Sequence, residues 1–210
     1  MANAYFLIIM VLQLIPGLAQ SHDWIFTLLP LIMVVGVSMI KDFYEHNKRR
    51  KKDYEENQAP VLICSGGSSE LQASVSERIE VGCLVKVLEG ENFPCDLILV
   101  QSSLPKGISF VETKNLDGET NLKQKNAHEE CTNLLTAQKK SIFEILQSCS
   151  VNCEGPNEFL YRFSGNLLHR PSGETIPIDE KAILLRGSSL RNTEWVVGIA
   201  VYTGHETKIM

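Results

Sequence analysis

The tetrapeptide Asp117-Gly118-Glu119-Thr120 sets a carboxylate directly after a glycine, with a second carboxylate and a hydroxyl on either side. Glycine lets the backbone fold tightly and so push Glu119 outward, while Asp117 and Thr120 carry oxygens able to hydrogen-bond the turn itself. Catalysis by Glu119 is one use for such a turn. Punctuation between two strands is the other and, for an Asp-Gly pair, the commoner. The tetrapeptide alone leaves both open.

Other candidates for chemistry are weaker. Gln13 stands in an apolar run, where an unpaired amide costs several kcal/mol, so it either lines a polar route or bonds a neighbouring helix. The glycine-rich Gly66-Gly67-Ser68-Ser69 lacks the Lys-[Ser/Thr] of a phosphate loop and reads as a flexible connection. Six cysteines, at 64, 83, 95, 131, 149 and 153, have no zinc-type spacing, which predicts no metal site and free thiols. Arg186 and Lys208 are expected to face solvent or pair within their domain rather than bind phosphate.

The elements that must position these residues divide the 210-residue chain in two. Ala4 to Ala19 and Trp24 to Ile40 are uncharged apolar stretches separated by the polar segment 20–23, each near the lower end of the roughly 17 to 25 residues that cross a bilayer. No basic region precedes the first, which argues against a signal peptide. Lys48-Arg49-Arg50-Lys51-Lys52 follows the second and is expected to stay in the cytosol, leaving the loop 20–23 exoplasmic or luminal. The first span begins almost at Met1 without a basic anchor, as a chain cut from a longer one would. Residues 1–47 thus read as a transmembrane helical hairpin and 48–59 as a basic, polar stalk and linker. Pro16 and Pro30 each remove a backbone donor within it.

From 60 to 210 short apolar segments alternate with Gly, Pro and Ser clusters, a β-rich pattern. Strands are expected at 61–64, 82–87, 96–100, 108–112, 159–163, 182–186 and 195–202, with a helical insertion over 133–149. The net charge of −5 and the single basic cluster argue against a nucleic-acid partner.

The segment NLDGETNLK, from Asn115 to Lys123, resembles the actuator-domain signature of the type IV P-type ATPases, the phospholipid flippases, which have DGET where cation pumps have TGES. The likeness runs along the chain. Residues 3–7, Pro30-Leu31 and Val37 to Asp42 fit the family's first two spans, and Pro94 and Asp96 with Leu97-Ile98-Leu99 resemble its Pro-Ala-Asp segment. Leu184 to Gly187, Leu190 to Trp195, Val201 to Gly204 and Thr207-Lys208 are similar to its last actuator strands. Cys83 and Cys95 depart from it, standing where Asp and Ala are usual, which puts local packing or a turn hydrogen bond in question.

The resemblance implies a membrane helical hairpin carrying a cytosolic α+β actuator domain of distorted jelly-roll form. It implies a pump that is phosphorylated by ATP, with Mg2+, on an aspartate of another domain of the full-length protein. No Asp here is followed by Lys-Thr-Gly, so that residue is not in this chain. It further implies that Glu119 drives removal of the phosphate, with Asp117, Gly118 and Thr120 shaping its turn, and that this is coupled to moving a phospholipid between leaflets. The family also implies an accessory two-span glycosylated subunit. A cation pump would carry TGES, or Cys-Pro-Cys in a span, and a membrane-anchored binding protein with an actuator-like fold would not catalyse at all.

Overall fold

The computed structural model describes residues 5, 8, 12, 24–64, 71–129, 149–157, 159–170 and 173–209. Gln13, Pro16, the loop 20–23, the segment 66–69 and Cys131 lie outside them, as does the helical insertion expected at 133–149 apart from its last residue. The chain forms two compact units, Met1–Glu55 and Glu56–Met210.

In the first unit Tyr5, Ile8 and Leu12 are helical. Helix α1 (Trp24–Asn57) runs unbroken through Pro30, the expected second span and the basic run. Residues 48–57 of the expected stalk and linker are therefore helical. Their composition explains this, since Lys, Arg and Glu are good helix formers and are spaced to pair one turn apart. Lys41 meets Glu45 at 3.5 Å, Arg49 meets Glu45 at 3.9 Å and Lys51 meets Glu55 at 3.7 Å. Such exposed pairs contribute only about 0.3–0.5 kcal/mol each. Leu29, Ile32, Met33, Val37, Met39 and Ile40 are exposed on α1. The apolar run nevertheless stops at Lys41, and among the described residues no helix is long and apolar enough to cross a membrane.

The second unit is β-rich. Strands β1 (Pro60–Cys64), β2 (Gln72–Val75), β3 (Leu84–Leu88), β4 (Asp96–Ser102), β10 (Ile183–Leu184) and β12 (Trp195–Tyr202) form a six-stranded antiparallel sheet in the order β10-β4-β12-β3-β1-β2. Two three-stranded antiparallel sheets accompany it. One, in the order β11-β5-β6, uses β5 (Ile108–Glu112), β6 (Leu122–Asn126) and β11 (Ser189–Arg191); the other, β7-β8-β9, uses β7 (Cys149–Cys153), β8 (Gly165–His169) and β9 (Glu174–Ile178).

Alternation along the central strands sends side chains into two cores. Leu97 and Leu99 of β4, with Val196 and Ala200 of β12, join Val111 of β5 and Leu190 of β11. Ile98 and Val100, with Val197, Ile199 and Val201, join Leu167 of β8 and Ile176 and Ile178 of β9. Each small sheet thus covers one face of the large one, which is why β4 and β12 read as continuous apolar runs rather than alternating ones. Gly198 lets β12 lie close against β4, because a Cβ there would sit 2.9 Å from the Ile98 carbonyl oxygen.

Three local expectations are corrected. Cys149 opens β7 instead of ending a helix. Residues 159–163 form turns, not a strand. Only Phe163 of that segment is buried, and the carbonyls of Phe159 and Arg162, which a strand ladder would engage, accept hydrogen bonds from Lys208 Nζ at 3.3 and 2.8 Å. Finally, the Asp-Gly pair is not a tight turn joining two strands directly but part of the longer connection 113–121 between β5 and β6.

Candidate functional site

Strands β5 and β6 pair from Ile108 opposite Asn126 to Glu112 opposite Leu122, so the loop between them carries Glu119 away from the sheet. The loop begins with a single helical turn, α2 (Lys114–Asp117), whose amides Leu116 and Asp117 donate to the Thr113 carbonyl at 2.8 and 3.1 Å. Gly118 ends it with φ 74°, a left-handed conformation that a side chain would strain, and donates to the Lys114 carbonyl at 3.1 Å. The loop is seated from the far side by the turn at Gly187, where Asn115 Nδ2 donates to the Gly187 carbonyl at 3.4 Å.

Asp117 organises the loop. Its Oδ1 accepts the Glu119 amide at 3.0 Å and the Thr113 hydroxyl at 3.0 Å. Its Oδ2 accepts Lys123 Nζ at 2.5 Å and the Tyr161 hydroxyl. A carboxylate has about four lone-pair sites, and all are engaged. The Lys123 ammonium is equally committed, since its three N–H bonds have three acceptors: Asp117, Tyr161 Oη at 3.0 Å and Glu119 Oε2 at 3.1 Å. Lys123 also lies 4.5 Å from the centre of the Tyr161 ring.

These contacts set the electrostatics. Hydrogen bonds from Lys123, then from Tyr161 and the Glu119 amide, hold the Asp117 carboxyl well below the usual carboxylate range. Burial works to lower the Lys123 pKa, but its bonds to Asp117, Tyr161 and Glu119 outweigh that and raise it. Burial, with the like charge of Lys123, lowers the pKa of Lys125 two residues on, whose Nζ donates to the Glu180 carbonyl at 2.8 Å.

Glu119 keeps 47% of its side chain exposed, so its carboxylate is open to an incoming group. Of the residues expected at the site, Asp117, Gly118 and Glu119 are brought together. Thr120 is exposed and its hydroxyl makes no hydrogen bond among the described residues; the Asp117 side chain and Thr113 hold the turn instead. Gln13 is not described. Sequence reasoning missed Thr113, Lys123 and Tyr161. Lys123 had a signal, standing two residues into the strand that leaves the turn. Tyr161, 44 positions from Asp117, had none.

This loop sits in a sequence with clear relatives. No protein-family model matches the chain. Over its whole length it is 42% identical to a phospholipid-transporting ATPase of Schizosaccharomyces pombe, 43% to phospholipid-transporting ATPase 6 of Arabidopsis thaliana and 37% to the phospholipid-transporting ATPase FetA of Mus musculus. Over its full length the chain is thus similar to one part of these phospholipid-transporting ATPases. It spans only 16% of the length of the first two of these relatives and 17% of the third. Among solved structures, a zinc-transporting PIB-type ATPase in its E2.Pi state matches 74% of this chain and 16% of its own, at 10% identity and a TM-score of 0.40, too distant to define a shared fold.

The other residues that carry the family likeness are structural. Asp96 is fully buried at the start of β4 and accepts the amides of Arg186 and Lys208, both at 2.8 Å, joining strands far apart in sequence. Burial raises its pKa despite those bonds. The two family departures, Cys83 and Cys95, are both buried in the core of Leu97 and Val85, and burial, with the charge of Asp96, pushes the Cys95 thiol up to about 12. That thiol is inert at neutral pH. Arg186 Nη1 donates to the Gly204 carbonyl at 3.2 Å, so it and Lys208 pair within the domain.

Proposed function

We propose that this chain is the N-terminal part of an ATP-driven phospholipid flippase, in which the β-rich unit acts as the actuator that removes phosphate from an aspartyl-phosphate intermediate. The observation that carries the reading is an exposed carboxylate, Glu119, at the tip of a loop whose shape is fixed by Asp117. Glu119 would orient a water and take its proton as the water oxygen attacks phosphorus. The bond from phosphorus to the aspartyl oxygen breaks in line, releasing phosphate and the free aspartate. The phosphorylated aspartate belongs to another domain of the full-length protein. Asp117, Gly118 and Thr113 position Glu119 and take no part in proton transfer.

In this reading the actuator has the distorted jelly-roll form of its family and residues 1–47 are a membrane hairpin, to which the exposed apolar side chains of α1 are suited. The actuator would then be cytosolic and the loop 20–23 exoplasmic or luminal, with Gln13 on the route of a phospholipid headgroup and an accessory two-span subunit as partner. ATP and Mg2+ serve the full-length pump. Among the described residues no group of three or more His, Cys, Asp or Glu could hold a metal ion, so no step is assigned to a metal on this chain.

The test is Glu119→Gln in the complete pump, phosphorylated from labelled ATP and chased. The phosphoenzyme is expected to decay roughly 100- to 10,000-fold more slowly than wild type. Decay at the normal rate would refute the role.

A further inference from the structure

We propose that Tyr161 is a positioning residue for Glu119, its hydroxyl bracing the Asp117–Lys123 pair that holds the catalytic turn; this deepens the function proposed above and rests on it. The hydroxyl donates to Asp117 Oδ2 and accepts from Lys123 Nζ at 3.0 Å, so it closes a three-membered ring of hydrogen bonds. Asp117 in turn holds the Glu119 amide, and Lys123 holds the Glu119 carboxylate. Every link from Tyr161 to the carboxylate is a hydrogen bond or ion pair, with no step through mere packing.

Tyr161 belongs to the connection between β7 and β8, and that connection has its own anchor. Lys208 Nζ, whose side chain is fully buried, lies 2.7 Å from Asn157 Oδ1, 3.4 Å from Glu154 Oε1, and 3.3 and 2.8 Å from the carbonyls of Phe159 and Arg162. An ammonium withdrawn from water requires such acceptors, and four oxygens from one short segment fold that segment around it. The turn containing Tyr161 is therefore shaped from below by Lys208, and the ring stays half exposed while its hydroxyl reaches the site. An exposed tyrosine serving only solubility would have no reason to place its oxygen between a carboxylate and an ammonium.

Charge explains why the brace matters. Asp117 and Glu119 are two carboxylates two residues apart, and Lys123 is the cation that pairs with both. Without the tyrosine hydroxyl, Lys123 and Asp117 each lose a partner that comes from outside the β5–β6 loop. The ammonium is then held by that loop and its own strand alone, and the loop's geometry is no longer cross-linked to the rest of the domain at this point.

The experiment uses the complete pump and separates formation of the phosphoenzyme from its decay. Tyr161→Phe, which removes only the oxygen, is expected to slow decay about tenfold while formation stays within about twofold of wild type. Lys123→Met should slow decay at least as much, and Lys123→Arg, which keeps charge and donors, should restore most of it. Added to Asp117→Asn, Tyr161→Phe should slow decay by less than about twofold more, because its acceptor is already altered. Normal decay in Tyr161→Phe overturns the inference, as does equal slowing of formation and decay or full additivity with Asp117→Asn. Glu119→Gln run alongside keeps the two proposals apart: slow decay there with normal decay in Tyr161→Phe removes only the role of Tyr161, whereas normal decay there removes the proposed function itself.

Discussion

The Asp117–Lys123 pair makes the turn's stability depend on pH in a defined direction. Folding lowers the Asp117 pKa, so the folded state holds that proton less readily than the unfolded one. Its contribution is present in full above the ordinary carboxylate value of about 3.9 and is lost as pH falls further. Folding raises the Lys123 pKa, so that contribution is present below the ordinary lysine value of about 10.4 and is lost as pH rises further. The stability difference between wild type and Asp117→Asn should therefore be flat between about pH 5 and 9 and shrink below about pH 4, measured by denaturant unfolding across that range. A difference that grew on acidification would contradict the depressed pKa. At this scale the sequence was informative where the signal was local: Gly118 and Glu119 could be read from one tetrapeptide. Tyr161 could not, because what brings it to Asp117 is a buried lysine 47 positions further along, and no spacing rule connects the three.

Lys208 shows how a single side chain decides an element. Residues 159–163, Phe-Leu-Tyr-Arg-Phe, are rich in the aromatic and apolar side chains that favour strands, yet they turn, since the ammonium takes the carbonyls a ladder would use. Lys208→Met should leave those oxygens without a partner and destabilise the domain by about 3–5 kcal/mol, as removal of one member of a buried ionic cluster does. Denaturant unfolding would measure it, and a loss below about 1 kcal/mol would show that water or rearrangement replaces the ammonium. Most of the long central strands were legible, because β4 and β12 are covered on both faces and carry unbroken apolar runs. The strands that escaped are of another kind. β2, β6, β7, β8 and β9 are only four or five residues long and carry no long apolar run, and β6 in particular is Leu-Lys-Gln-Lys-Asn, whose place in a sheet comes from pairing with β5 rather than from its own pattern.

For the whole molecule, the feature that matters is the continuity of α1 from Trp24 to Asn57, leaving only Gln58 and Ala59 before β1. If the proposed pump couples actuator movement to the membrane hairpin through this helix, breaking it should separate hydrolysis from transport. Three glycines inserted after Lys52 in the complete pump are expected to leave phosphoenzyme turnover measurable while phospholipid movement in reconstituted vesicles falls several-fold, glycine being about 1 kcal/mol per residue less favourable in a helix than alanine. Transport that kept pace with hydrolysis in this variant would mean that the helix is not the link. The sequence foresaw an apolar segment and a charged one but not that they are one rod, because the composition changes at Lys41 while helix propensity does not. At 1.5 Å per residue the 34 residues of α1 extend for about 51 Å. Tilting one end of such a lever arm through about 10° sweeps the other across roughly 9 Å, nearly two turns of helix, so a modest angular change is amplified into a displacement larger than most side chains.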